Sequence, residues 1–168
     1  MYRQNSSPLE RVYRGKRVDL LVLSRAEAAT VAPDEPYILV SVTDPNSNAA
    51  SLAQTARLRA VLRLQFHDIA GVTNPILQPF ADSNEVAMSD EDGYSVVAFV
   101  RRFVPNEARF VVVHCEAGIS RSAGIAAAVS KIWNGTDDFF FERYLPNSWV
   151  YRQVLAHHAT LVEDESES

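Results

Sequence analysis

The stretch His114-Cys115-Glu116-Ala117-Gly118-Ile119-Ser120-Arg121-Ser122 holds the only cysteine of the chain and, six residues later, an arginine. A thiolate is a strong, soft nucleophile, and a guanidinium is a permanently charged planar fork that can grip two oxygens of a tetrahedral anion. One loop apart, the two can attack an anionic centre and hold the charge that develops on it. The flanking residues say how such a loop is built. Residues 109–113 form an apolar, β-branched run, and the small apolar residues 120–133 read as a buried helix ended by Gly135. A loop leading from strand into helix turns successive backbone N–H groups into one concavity backed by the positive helix end, an anion site suited to phosphate. Cys115 lies in the same field, which favours its thiolate form. Gly118 permits the tight backbone path.

This stretch resembles the His-Cys-x5-Arg-Ser/Thr signature of the cysteine-dependent tyrosine phosphatases, and Ala117-Gly118-Ile119-Ser120-Arg121-Ser122 is most similar to the dual-specificity branch. The bare Cys-to-Arg spacing is a weak signal. The preceding histidine, the central glycine, the following serine and the strand–loop–helix context make it a strong one. The resemblance extends more faintly over about residues 18–160, where Leu62-Arg63-Leu64-Gln65-Phe66-His67-Asp68-Ile69 is similar to the strand and loop that carry the family's general acid.

That resemblance implies a compact α/β fold of the dual-specificity-phosphatase type and a set of roles. Cys115 attacks phosphorus and forms a phosphocysteine, while Asp68 protonates the departing oxygen and then activates water. Ser122 hydrogen-bonds the sulfur and helps it leave, and His114 orients the loop through a backbone bond. The amides of Glu116, Ala117, Gly118, Ile119, Ser120 and Arg121 hold the phosphoryl oxygens. With Arg121 and the amides supplying positive charge, no metal and no other cofactor is implied. Asp68 stands 47 residues before Cys115, farther than is usual in the family, and Asp82, at 33, is its rival. Asp68 is preferred because residues 62–66 are expected to run beside the strand ending at His114, which brings the following loop to the rim of the phosphate site.

The implied function is hydrolysis of phosphotyrosine in proteins, with phosphoserine and phosphothreonine as further substrates. The alternative substrates are phosphoinositides, inositol polyphosphates or RNA 5′ ends. Enzymes of this family for such polyanions tend to carry basic residues in the loop, whereas Glu116, Ala117, Ile119 and Ser120 include an acid and no base. A third reading is a non-catalytic phosphate-binding module, which normally lacks the cysteine or the arginine.

Composition sets the frame for these residues. At 168 residues, 47% hydrophobic and 22% charged, the chain has the size and make-up of one globular domain. The net charge of −5 is concentrated at the end, where Glu163, Asp164, Glu165 and Glu167 lie within the last six residues. The remainder is near neutral, which argues against nucleic acid as a main partner; the phosphorylated protein or peptide partner is what the resemblance implies. Apolar runs such as Leu20-Leu21-Val22-Leu23 are far too short to span a bilayer, so no membrane association is expected. A single cysteine, with no charged-then-apolar leader, fits a cytoplasmic protein.

The elements that must position the site alternate along the chain. Residues 1–17 read as a polar arm, 18–161 as the domain and 162–168 as an acidic tail. A strand is expected over 18–23. Ser24, with Glu27 three residues on, is a capping box that starts a helix ended by Pro33 and Pro36. Residues 37–42 read as a buried strand, 44–48 as a turn, 49–59 as a helix and 61–66 as a strand. A long loop follows over 68–88. Ser89-Asp90-Glu91-Asp92 opens a helix with acids in its first turn, continuing to Pro105. Phe139, Phe140 and Phe141 are expected to cover the core, and a last helix to run over 149–161. Strands alternating with helices predict an α/β domain with a central, mostly parallel sheet flanked by helices.

Overall fold

In the computed structural model, residues 7–69 and 85–158 are described. Four strands, β1 (Asp19–Leu23), β2 (Tyr37–Thr43), β3 (Leu58–Gln65) and β4 (Phe110–His114), form one sheet in the order β1-β4-β2-β3, and every pair is parallel. Every residue of β1, β2 and β4 is buried, which is why these segments read as continuous apolar runs. Edge strand β3 instead alternates, with Arg59, Val61, Arg63 and Gln65 exposed.

The period of two divides the strand residues between two cores. Leu20, Val22, Ile38, Val40, Val111 and Val113 point to one face, where they pack with Val96, Val100, Ile125, Val129 and Val150. Those residues belong to α2 (Asp90–Phe103), α3 (Arg121–Asn134) and α5 (Ser148–Leu155). Leu21, Leu23, Tyr37, Leu39, Phe110 and Val112 point to the other face, where Ala28 and Val31 join them with Leu9, Val12, Leu52 and Leu58 alongside. That second face is covered by the single-turn helix α1 (Arg25–Ala28), a 3-10 turn at Pro8–Arg11 and irregular chain. A further short helix, α4 (Asp138–Arg143), follows α3. Among the described residues, no helix is long and apolar enough to cross a membrane.

The expected capping box at Ser24 is made, and the helix expected to open at Ser89 begins with a second one. Ser24 accepts from Glu27 N–H and Ser89 from Asp92 N–H, each with the reciprocal carboxylate bond. Gly135 closes α3 at φ 82°, a left-handed conformation that suits glycine. The expected α/β class and parallel sheet are therefore present.

Several local expectations need correction. Residues 49–59 are not a helix: β3 begins at Leu58, and the chain before it is irregular. Long-range partners use its backbone groups instead. Arg25 donates to the Ala49 carbonyl, Arg63 to the Ala50 carbonyl, and Ala53 N–H donates to the Ala28 carbonyl. The helix opened by Ser24 stops at Ala28, well before Pro33. Helix α4 was not expected. The strand over 58–65 pairs with β2 and not with β4, because β2 lies between them. From Ser7 onward the N-terminal stretch lies against the domain: Tyr13 bridges Leu20 and stacks on Phe139. Phe140 is buried, but Phe141 is 46% exposed. Asp82, most of the long loop and the acidic tail lie outside the described residues.

Candidate active site

Residues 115–120 connect β4 to α3 at the carboxyl end of the sheet, the end where parallel α/β sheets gather their ligand loops. The loop is stitched to the end of β1. Cys115 N–H donates to the Leu23 carbonyl at 3.3 Å, and Arg25 N–H to the Glu116 carbonyl at 3.1 Å. Gly118 sits so close to this strand end that a Cβ would lie 2.6 Å from the Leu23 carbonyl carbon and the Ser24 nitrogen. Its φ of +71° is a second reason for glycine there.

Cys115 is buried, and two groups reach its sulfur: Ser122 Oγ lies 3.0 Å from Sγ, where either atom can donate, and Gly118 N–H donates at 3.3 Å. Helix α3 begins directly behind it. Its cap residue, Ser120, makes no side-chain capping bond, because its hydroxyl donates to Asp68 Oδ1 at 2.7 Å. The first amides of α3 are thereby left for an anion rather than satisfied by a cap.

Arg121 is 5% exposed. Its Nη1 donates to Asp44 Oδ1 and to the Phe66 carbonyl, both at 2.7 Å. Its Nε–H is buried and has no partner among the described residues. Asp44 and the carbonyl therefore fix one corner of the guanidinium, and the Nε edge remains for two oxygens of a tetrahedral anion.

His114 is fully buried. Its Nδ1 lies 3.3 Å from the Cys115 carbonyl and its Nε2 2.6 Å from Ser41 Oγ. A carbonyl can only accept, so Nδ1 carries the proton and Ser41 donates to Nε2. Burial holds the imidazole below its usual range, opposed by the Cys115 carbonyl bond, so it is neutral at pH 7.

Asp68 sits on the same rim. Ser120 and Asn147 Nδ2 both donate to its Oδ1, the latter at 2.8 Å. Asn147 also caps α5, accepting from Val150 N–H at 3.0 Å, and its own N–H donates to the Ser120 carbonyl at 3.0 Å. His67 is a loop residue: its N–H donates to the Val86 carbonyl at 2.6 Å, and its Nδ1 accepts from Val86 N–H at 2.9 Å.

No protein-family model matches the sequence, nor does any curated protein. Solved structures do. A mouse putative dual specificity phosphatase complexed with zinc tungstate matches with a TM-score of 0.51 at 18% identity, over 98% of this chain and 95% of that one. Human DUSP28 carrying one substitution matches with a TM-score of 0.50 at 20% identity, over 86% and 92%. PTPMT1 matches with a TM-score of 0.51 at 15% identity, over 89% and 95%. The chain has the fold of the dual-specificity phosphatases. At such identities the likeness is one of fold, and in this phosphatase-like fold the strand–loop–helix at 110–134 holds the cysteine and arginine.

The structure thus brings together Cys115, Arg121, Ser122, His114 and Asp68 with the amides from Glu116 to Arg121. Sequence reasoning missed Asp44, Ser41 and Asn147. The first two lie at the carboxyl end of β2, the strand beside β4, and Asp44 had been read only as a turn former. A signal existed in the sheet logic: residues ending the strand next to the loop strand must face the loop. Asn147 carried none, since nothing in the sequence says which cap approaches Asp68.

Proposed function

We propose that this protein hydrolyses phosphotyrosine in proteins, and phosphoserine and phosphothreonine with it, through a phosphocysteine intermediate. One observation carries the reading. The buried Arg121 has an Nε–H with no partner among the described residues, and it belongs to the loop whose Cys115 sulfur is held by Ser122 and Gly118.

The steps follow from the residues. A phosphoryl group bound by the loop amides and the Nε edge of Arg121 presents phosphorus to Sγ. The S–P bond forms as the P–O ester bond breaks, and Asp68 gives its proton to the departing oxygen. Because Ser120 and Asn147 both donate to Oδ1, that proton resides on Oδ2. Water then attacks the phosphocysteine and Asp68 takes a proton from it. The S–P bond breaks and the sulfur leaves as thiolate, stabilised by the Ser122 hydroxyl. Asp44, by fixing Nη1, keeps the guanidinium fork turned toward the phosphoryl oxygens as charge builds on them.

Turnover of para-nitrophenyl phosphate in the presence of EDTA tests this. Cys115→Ser should fall to background, and Arg121→Ala should lose at least about 10²–10³ in kcat/KM. Activity that survives in Cys115→Ser would remove the mechanism. Phosphopeptide and phosphoinositide panels then decide the substrate class.

A further inference from the structure

We propose that Ile119 and Leu145 form an apolar shelf at the mouth of the site, and that the shelf receives an apolar side chain next to the phosphorylated residue of a protein substrate. This deepens the phosphatase reading and rests on it.

The shelf is continuous with the phosphate loop. Leu145 N–H donates to the Ile119 carbonyl at 3.2 Å, and two residues on Asn147 N–H donates to the Ser120 carbonyl. Residues 145–147 therefore run alongside residues 119 and 120. Ile119 follows Gly118, which touches the cysteine sulfur, and precedes Ser120, which holds Asp68. Ile119 is 46% exposed and Leu145 is 75% exposed. Single exposed apolar side chains are ordinary on any protein surface. These two differ because a backbone bond joins them on the rim of a ligand loop, where a substrate must lie across them.

Charge around the mouth points the same way. Arg25 is already engaged, donating to Glu116 at 3.0 Å and to the Asn48 carbonyl at 2.9 Å, and Arg63 donates to the Ala50 carbonyl. No lysine or arginine occurs between Arg63 and Arg101 in the sequence. Lys16, Arg17, Arg101 and Arg109 instead line a pocket of about 520 Å³ with Trp133, at the opposite end of the sheet. Glu116 and Arg25 pair with each other at 3.0 Å, so together they add no net charge beside the loop. The mouth thus offers Arg121 and the loop amides for one phosphate and an apolar ledge beside them. A phosphotyrosine flanked by leucine fits that surface, and one flanked by aspartate does not.

The test compares phosphotyrosine peptides identical except for Leu, Ala or Asp immediately before or immediately after the phosphorylated residue. With the wild type, Leu at one of these positions should raise kcat/KM about tenfold over Asp, the low end for an apolar contact in an open site. Leu145→Asp should level or reverse that ratio. Its turnover of para-nitrophenyl phosphate, which has no flanking residue, should stay within about twofold of wild type and so report an intact fold. Equal turnover of all peptides by the wild type overturns the shelf and leaves the phosphatase standing. A preference that survives in Leu145→Asp overturns it too. No turnover of para-nitrophenyl phosphate or any peptide overturns the phosphatase reading instead. Faster turnover of phosphoinositides than of every peptide overturns the protein substrate class and the shelf with it.

Discussion

A guanidinium buried as deeply as that of Arg121 must be paired to be tolerated, and only part of it is. Asp44 and the Phe66 carbonyl satisfy one corner, and the Nε–H has no partner among the described residues. That asymmetry is what an anion site requires of its arginine. His114 serves the same loop from beneath, joining Ser41 on β2 to the Cys115 carbonyl. Its imidazole is held neutral in the folded protein by burial, with the Cys115 carbonyl and Glu116 opposing and Arg25 and Arg63 adding to the depression. The unfolded chain takes up this proton near pH 6.5, and the folded protein only at lower pH. The unfolded state therefore binds more protons in that window. The stability that neutral His114 supplies is complete above pH 6.5 and is lost as pH falls, with a limiting slope of about 1.4 kcal/mol per pH unit. His114→Gln should be less stable than wild type at pH 7.5, yet its urea midpoint should fall less between pH 7.5 and 5.5. Parallel declines in the two proteins would show that His114 is not the group that titrates.

At the level of elements, what was legible in the sequence was whatever a local pattern encodes. The capping box at Ser24, the acidic first turn that opens α2 after Ser89, the glycine that ends α3 and the apolar runs of β1, β2 and β4 are all of that kind. The irregular 49–57 segment was not, because its backbone groups are claimed by Arg25, Arg63 and Ala28 across the fold. The neighbour of β3 was misjudged for a related reason: a parallel sheet fixes strand order through distant crossovers. The loop after β3 still reaches the site, since the Phe66 carbonyl binds Arg121 and Asp68 binds Ser120. The cap of α5 completes that arrangement, because Asn147 spends its carbonyl on Val150 N–H and its amide group on Asp68. Asp68→Asn should lose about 10²–10⁴ in rate with alkyl phosphates and far less with para-nitrophenyl phosphate, whose phenol departs without help. Asn147→Ala, a positioning change, should show the same dependence on leaving group at smaller size. An equal loss with both kinds of ester would mean that Asn147 only supports the fold.

Across the whole molecule, the loop is the point where most of the fold is tied together. It is bonded to the end of β1 through Leu23 and Arg25, and it continues β4 and opens α3. Arg121 links it to the ends of β2 and β3, and Ile119 and Ser120 link it to the residues leading into α5. An anion seated in it therefore touches a structure that exists only when the sheet and its helical layer are both assembled, and the unfolded chain has no counterpart. Binding must then appear as stability, by RT ln(1 + [L]/Kd). Tungstate at about one hundred times its Kd should add about 2.7 kcal/mol, which for a domain of this size raises Tm by about 5–10 °C. Cys115→Ser should keep most of that shift, because amides and guanidinium do the binding and the serine hydroxyl occupies nearly the same volume. Arg121→Ala should lose it, even where its Tm without tungstate is already lowered, since the shift is read against each variant's own baseline. A shift preserved in Arg121→Ala would place the anion elsewhere, the basic pocket beside Trp133 being the obvious position, and would separate the stabilising site from the loop of Cys115.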